Sequence, residues 1–580
     1  MAFKTHQQTN NNNNNNITPF AIMASVWPFS SPVLISNNSL NNNSLNRKSI
    51  VACQRLSIHN NQVMDVPTTT TSARRSGSYP PTIWSYDHIQ SLTSKHTGEK
   101  HMPRLQTLKE AVRTMIYIDN EMEETPLKML NLVDDLQRLG VSYHFEDEIS
   151  NVLKNIYYNY YEAPKKWTTM DLNIKSLGFR LLRQRGYHIP QDIKDDTGNF
   201  KGHLQKDIIG MLNLYEASYN SFEGEHILDD ARDFTTKYLK ESLTNVGDQH
   251  LSSLISHALD VPLQWMVPRV EARWFIEAYE KRKGMNPTLL ELAKLDFNIL
   301  QAIHLEDLKD TSRWWKKTCW DSKLTFVRDR LVENFLWTIG TNSLPQFSPL
   351  RRVLAQVFAM ITTLDDVYDV YGTLDELEIF TEAICRWDIN SIEELPEYMK
   401  ICFIGFYNSI NEIAYYTLTE NGFFNLPYLT KAWEGLCKAY LKEAHWYHSG
   451  YKPTLEEYLE NAYISISLPL MLSHISLVTS VTPTEEILHS MEKGEMARGD
   501  TPKSIQCYMN ETGATEEEAR IYVKNLLLDT WKKLNKERAD VTNSQFLKEI
   551  TECGTNLGRM AQFMYHVADG HGHRPDVTKA

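Results

Sequence analysis

From Leu127 onward this chain of 580 residues repeats one pattern: apolar side chains at three- and four-residue spacing, ended by helix-stop signals. Leu127, Leu130, Leu132, Val133, Leu136 and Leu139 place an apolar face on one helix, which stops at Gly140, a C-cap residue. The same spacing predicts helices over 149–161, 204–215, 251–259 and 269–279. Runs that alternate with period two between turn dipeptides are almost absent, so strands have little support. The expected fold is all-α. Lys281–Thr288 joins a charge run, Gly284 and Asn286-Pro287, and Pro287 is suited to open a new helix. Two helical domains are therefore expected, over 74–285 and 286–580.

The first seventy residues are different material. No acidic residue precedes Asp65, the basic ones are Lys4, Arg47, Lys48 and Arg55, and Asn10 to Asn16 is a homopolymer. A segment this polar buries too little apolar surface to offset its ordering entropy, so residues 1–73 are expected to be disordered. Basic, hydroxyl-rich and acid-free, the segment also has the composition of an organelle transit peptide. Sixty Lys and Arg against seventy-three Asp and Glu leave a net charge of −13, which argues against a general nucleic-acid binder. No run approaches the roughly 18 consecutive apolar residues of a membrane span. Seven cysteines without a CxxC fit neither a disulfide framework nor a structural zinc cluster.

Chemistry concentrates on one helix. Leu350, Leu354, Val357, Ile361 and Leu364 form a buried stripe that runs into Asp365-Asp366-Val367-Tyr368-Asp369. Asp365 and Asp369 are four apart and share a face. Such a triplet is either a solvated acidic helix end or a metal site. Thr362 and Thr363 on the approach, with Phe358, Tyr368 and Tyr371 as aromatic walls, favour the second reading. Oxygen ligands with no His or Cys nearby select Mg²⁺ or Mn²⁺, which share their remaining positions with phosphate oxygens and water. Fixed positive charge for such a phosphate is available at Arg328, Arg330, Arg498 and Lys503, although any one of these is an ordinary surface cation taken alone. Trp314, Trp315, Trp337, Tyr447 and Tyr565 are either core aromatics or pocket walls whose ring faces stabilise a carbocation.

Together these residues resemble the plant terpene synthase family, in its monoterpene synthase branch. Arg74-Arg75, eight residues and then Trp84 are similar to the family's RR-x8-W; Arg328-Asp329-Arg330 to its RxR; Asp365–Asp369 to its DDxxD. The run from Arg498 to Met509 and that from Asn556 to Gly572 resemble its later segments, so the likeness extends over about 74–573. It implies an N-terminal α-barrel-like domain and a C-terminal class I domain that binds a prenyl diphosphate through three Mg²⁺. It implies metal ligation by Asp365, Asp366, Asp369 and Glu495, and diphosphate contacts from Arg328, Arg330 and Lys503. Trp337 and Tyr565 belong to the pocket, and Arg74, Arg75 and Trp84 to a segment that caps it. The transit-type leader and RR-x8-W point to geranyl diphosphate and a plastid, in the stroma of the chloroplast; oligomeric state, monomer or homodimer, stays open.

The chain departs from that pattern before Arg498. The family's second metal motif should end at Glu495 with ligands eight and four residues earlier, but Ile487 and Met491 stand there and neither binds Mg²⁺. About twenty residues look lost between Ser490 and Glu495, a few more near Ile193-Lys194, and the chain stops at Ala580 before the family's usual terminal helix. Two alternatives follow: a catalytically impaired terpene synthase-like protein, or a cytosolic sesquiterpene synthase using farnesyl diphosphate.

Overall fold

The computed structural model describes residues 74, 75, 77, 79–121, 126–163, 166, 170–189, 207–478, 504–541 and 544–566. Every regular element among them is helical. The leader, Glu495, Arg498 and Lys503 lie outside the described residues.

The apolar faces read from sequence are the buried ones. On helix Pro126–Arg138, Leu130, Val133 and Leu136 are at most 1% exposed, and Gly140 follows at φ +75°. Helices occur at Glu146–Ile156, Ile208–Ser218, Gln249–Asp260 and Pro268–Glu280, within a few residues of the expected spans.

The side chains of these helices form one core, which runs from Leu105 to Ala293. A second core gathers residues from Val267 to Met564. The helices that position the site are α1 (Tyr86–Ser91), α2 (Pro287–Thr318), α3 (Leu331–Thr341), α4 (Ser348–Asp366), α5 (Leu374–Arg386), α6 (Leu426–Ser449) and α7 (Gln545–Tyr565).

Helix α2 starts where the chain offers its strongest break: Asn286 accepts from the N–H groups of Thr288 and Leu289, with Pro287 at the first position. It is a rod of about 48 Å that belongs to both cores. Leu289, Leu290, Leu292 and Ala293 pack in the first, and Trp315 in the second. The cores also meet along a polar seam. Gln264 donates to Asn535 Oδ1 at 2.7 Å, Asn535 donates to the Tyr219 carbonyl at 2.8 Å, and Arg559 Nε donates to the Gln264 carbonyl at 2.9 Å. Trp265 stacks on Trp531 beside it.

Helices α2, α3 and α4 are joined by a buried charge. Arg351, fully buried, donates through Nε and Nη2 to Asp307 at 3.0 and 2.9 Å, and through Nη1 to the carbonyls of Asn342 and Leu344. Within the helical stretch Leu455–Val478, interrupted at Ser467 (φ +65°), an 18-residue window reaches a mean hydropathy of 1.3, and 61% of that window is buried inside the molecule.

Candidate active site

Helix α4 is a core helix with one exceptional stripe. Leu350, Leu354, Val357 and Leu364 are at most 3% exposed. Phe358, Ile361, Asp365 and, just beyond the helix, Asp369 stay partly accessible at spacings of three and four. That stripe lines the opening of the site. The helix then passes without a break into a π turn over Val367–Tyr371, where Gly372 N–H donates to the Val367 carbonyl at 2.8 Å. Turns of this kind are rare and gather at functional sites.

Arg328 lies against the acidic end. Its guanidinium pairs with Asp365 and, at 3.1 Å, with Asp366, and its backbone N–H donates to Asp366 Oδ2 at 2.8 Å. Asp366 is fully buried and committed to Arg328, whereas the Asp365 side chain is 27% exposed. Burial pushes the Asp366 carboxyl upward against the pull of Arg328, and the carboxylates hold Arg328 firmly charged despite its own burial. Helix α6 brings Tyr440 to the same end; burial, then Asp365 and Asp369, push its phenol well up, so it stays a neutral hydroxyl.

The donor set suits a hard divalent cation. Three carboxylates stand within little more than a turn, with Arg328 as their counter-charge. Among the described residues no group of three or more His, Cys, Asp or Glu side chains is arranged to hold a metal ion by itself. Open-sided binding by one or two carboxylates is what Mg²⁺ normally uses beside a phosphate. Asp365 and Asp369 fit that role; Asp366 is placed to orient Arg328.

The aromatic part divides. Trp337 of α3 lies 5.6 Å from Phe358 and 6.4 Å from Tyr565 of α7, between ring centroids, and Tyr565 is close enough to Arg328 to affect its charge. Trp314 instead donates to Ser409 at 3.1 Å and packs on Trp320 in the core. Trp315 is 6% exposed and sits edge-on to the same Trp320. Tyr447 is on the outside at 54% exposure. Tyr368, expected as a wall, is buried between Phe380 and Tyr440 with its hydroxyl on Thr381. The π turn points it into the core.

Arg74, Arg75 and residues 79–84 lie across this end. Arg74 grips Glu376 of α5 with two bonds of 2.8 and 2.7 Å, donates to the Tyr371 carbonyl at 3.2 Å and lies over the Tyr371 and Tyr398 rings. Arg74 is the main reason that the Glu376 carboxyl falls to about 2. Tyr79 places its ring 4.9 Å from the Arg328 guanidinium, and Arg330 donates to the Pro80 carbonyl at 2.9 Å. Arg75 does not reach the acidic end; it covers Tyr447 at 4.4 Å. Trp84 stacks on His88 at the start of α1, which docks on α2 through Gln90. Sequence reasoning missed Tyr79, Glu376, Tyr398 and Tyr440. Thr373-x-x-Glu376 is a readable capping box, but its Arg partner is 302 residues away.

A helical domain with an acidic, aromatic-walled site packed on a second helical domain defines a class of metal-binding enzymes. Residues 83–259 match the profile of the terpene synthase N-terminal domain, and residues 316–533 that of the terpene synthase family metal binding domain. The chain belongs to the terpene synthase family. It is 58% identical over 533 residues to R-linalool synthase QH5, chloroplastic, of Artemisia annua, covering 87% of this chain and 90% of that protein. Among solved structures it resembles limonene synthase with 2-fluorolinalyl diphosphate, at a TM-score of 0.81 and 42% identity, covering 87% of this chain and 98% of that one. It also resembles isoprene synthase from grey poplar with three Mg²⁺ ions and dimethylallyl-S-thiolodiphosphate, at 0.77 and 40%, covering 86% and 97%.

Proposed function

We propose that this chain is a monoterpene synthase that ionises geranyl diphosphate with Mg²⁺ and releases a monoterpene and diphosphate. The observation that carries the reading is the clamp of Arg328 on Asp365 and Asp366 at the mouth of an aromatic-walled site. In this reading Asp365 and Asp369 hold the metal, with Glu495 contributing from the later segment. Bound Mg²⁺ supplies Lewis-acid stabilisation of the leaving diphosphate. Arg328, set against Asp365 and Asp366, would present its charge to the diphosphate, and Arg330 and Lys503 would add theirs. Preorganised charge of this kind is worth most where water is excluded. Arg74 and Tyr79 hold the 74–84 segment across the opening, with Arg75 and Trp84 anchoring it on either side. Trp337 and Tyr565 present ring faces to the allylic cation.

The division into domains at 285/286, with residues 1–73 as a plastid transit peptide, belongs to the same proposal; the chloroplastic relative supports the plastid leader alone. A second reading, an impaired enzyme, is favoured by Ile487 and Met491 at the positions of the second metal motif. The experiment is product analysis by gas chromatography with Mg²⁺ and geranyl diphosphate, farnesyl diphosphate in parallel. A monoterpene that disappears in Asp365→Ala is expected. No product from either substrate in a folded protein would favour the impaired reading, and product from farnesyl diphosphate alone a sesquiterpene synthase.

A further inference from the structure

Between the charged mouth and the aromatic floor lies one polar pair. Arg330, Asn334 and Trp337 follow one another at four and three residues along α3, and Phe358, Thr362 and Asp366 at four along α4. The two faces meet: Arg328 of the RxR run holds Asp366 at one end, and Trp337 meets Phe358 at the other. Thr362 Oγ1 lies between, donating to Asn334 Oδ1 at 3.3 Å and to the Phe358 carbonyl at 2.9 Å.

The one hydroxyl hydrogen of Thr362 is shared between these two oxygens, the shorter contact being to the Phe358 carbonyl. Asn334 Oδ1 therefore faces Thr362, and the amide turns its NH₂ the other way. That second end of the amide bonds to no described residue. Asn334 is only 2% exposed, and a buried amide half without a partner is costly. Neighbouring Glu333 has both carboxylate oxygens sealed and partnerless, whereas neither amide atom of Asn334 is sealed without a partner. Thr338 and Thr341 offer no alternative, since both hydroxyls donate to carbonyls of their own helix.

We infer that Asn334, pinned by Thr362, is a water-positioning residue that directs capture of the allylic cation to a tertiary alcohol. The inference rests on the function proposed above and names its product class. A water that accepts from the Asn334 NH₂ keeps a second oxygen lone pair for the cation. The carbon–oxygen bond to diphosphate breaks first; the water oxygen then bonds to the tertiary carbon, and its surplus proton passes to the departed diphosphate. Water is the only co-reactant.

The full chain is incubated with geranyl diphosphate and Mg²⁺ in ¹⁸O-labelled water, with diphosphate release and volatile products measured together. Wild type is expected to give an alcohol carrying one ¹⁸O. In Asn334→Leu the alcohol formed per diphosphate released falls at least tenfold in favour of olefin. Thr362→Val moves the ratio the same way and Thr362→Ser does not, which decides the matter if Asn334→Leu fails to fold. Diphosphate release with only hydrocarbons from wild type overturns this inference and leaves the proposed function standing, as does an unchanged ratio in folded Asn334→Leu. No diphosphate release from wild type removes both.

Discussion

Arg328 does different work from the other basic residues near the site, because two of its contacts are set before any ligand arrives. The backbone N–H fixes Asp366, and the guanidinium fork spans Asp365 and Asp366. A lysine at this position keeps the charge but presents one point donor where a planar fork spans two carboxylates. Arg328→Lys is therefore expected to lower the rate of diphosphate release by about 10²–10³-fold, the usual loss of one preorganised charge-stabilising group. Circular dichroism should show the helical content retained. A rate within threefold of wild type would mean that the fork is incidental. The spacing of the acidic triplet already set Asp365 and Asp369 on one face; the sealing of Asp366 against Arg328 it did not show. Spacing places Asp366 beside Asp365, but only the fold shows that one faces the opening and the other is sealed against Arg328.

At the scale of elements, the site depends on α3 and α4 staying in register, and Arg351 is the joint that holds them to α2. It pairs with Asp307 from α2 and caps two carbonyls in the α3–α4 connection, all out of water. Removing one partner of a buried pair strands the other charge, at a cost of about 3–5 kcal/mol. Arg351→Met is expected to lower stability by that amount, read from urea unfolding. The mutant should also broaden the product profile, because the Asn334–Thr362 and Trp337–Phe358 contacts span the same two helices. A loss below about 1 kcal/mol would show that the Ser348 hydroxyl bond and the Arg352 charge, both at Asp307, suffice to satisfy it. Helix positions were readable because burial follows a 3.6-residue period that sequence carries directly. The π turn at Val367–Tyr371 was not, since Val, Tyr and Asp signal neither turn nor break. Its consequence, Tyr368 in the core, reversed the expected role of that ring. Glu376 and Tyr398 escaped for another reason: they matter through Arg74, and pairing across some three hundred residues leaves no local trace.

For the whole molecule, two large cores sharing one rod and a polar seam make stability sensitive to what is buried inside them. Two histidines are buried as neutral rings. His304, 1% exposed, donates to the Ser343 carbonyl and lies near Arg351 and Arg269; burial first, then those charges, lower it to about 3. His474, fully buried, bonds the Leu470 carbonyl and meets Trp433 edge-on; burial lowers it to about 4. Both native values lie below the ordinary histidine value of about 6.5 that the unfolded chain retains. As pH falls below about 6.5 the unfolded state takes up protons that the native state refuses, so the linkage term lowers stability. The contribution is fully present above about pH 7.5 and is lost progressively towards the native values. Two such groups together should remove about 3 kcal/mol between pH 6.5 and pH 5. Urea unfolding at those two pH values checks the sign and size, and His474→Gln, which cannot titrate, should cut the difference by about half. Stability that rises on acidification would mean that carboxylates taking up protons in the folded state outweigh both rings.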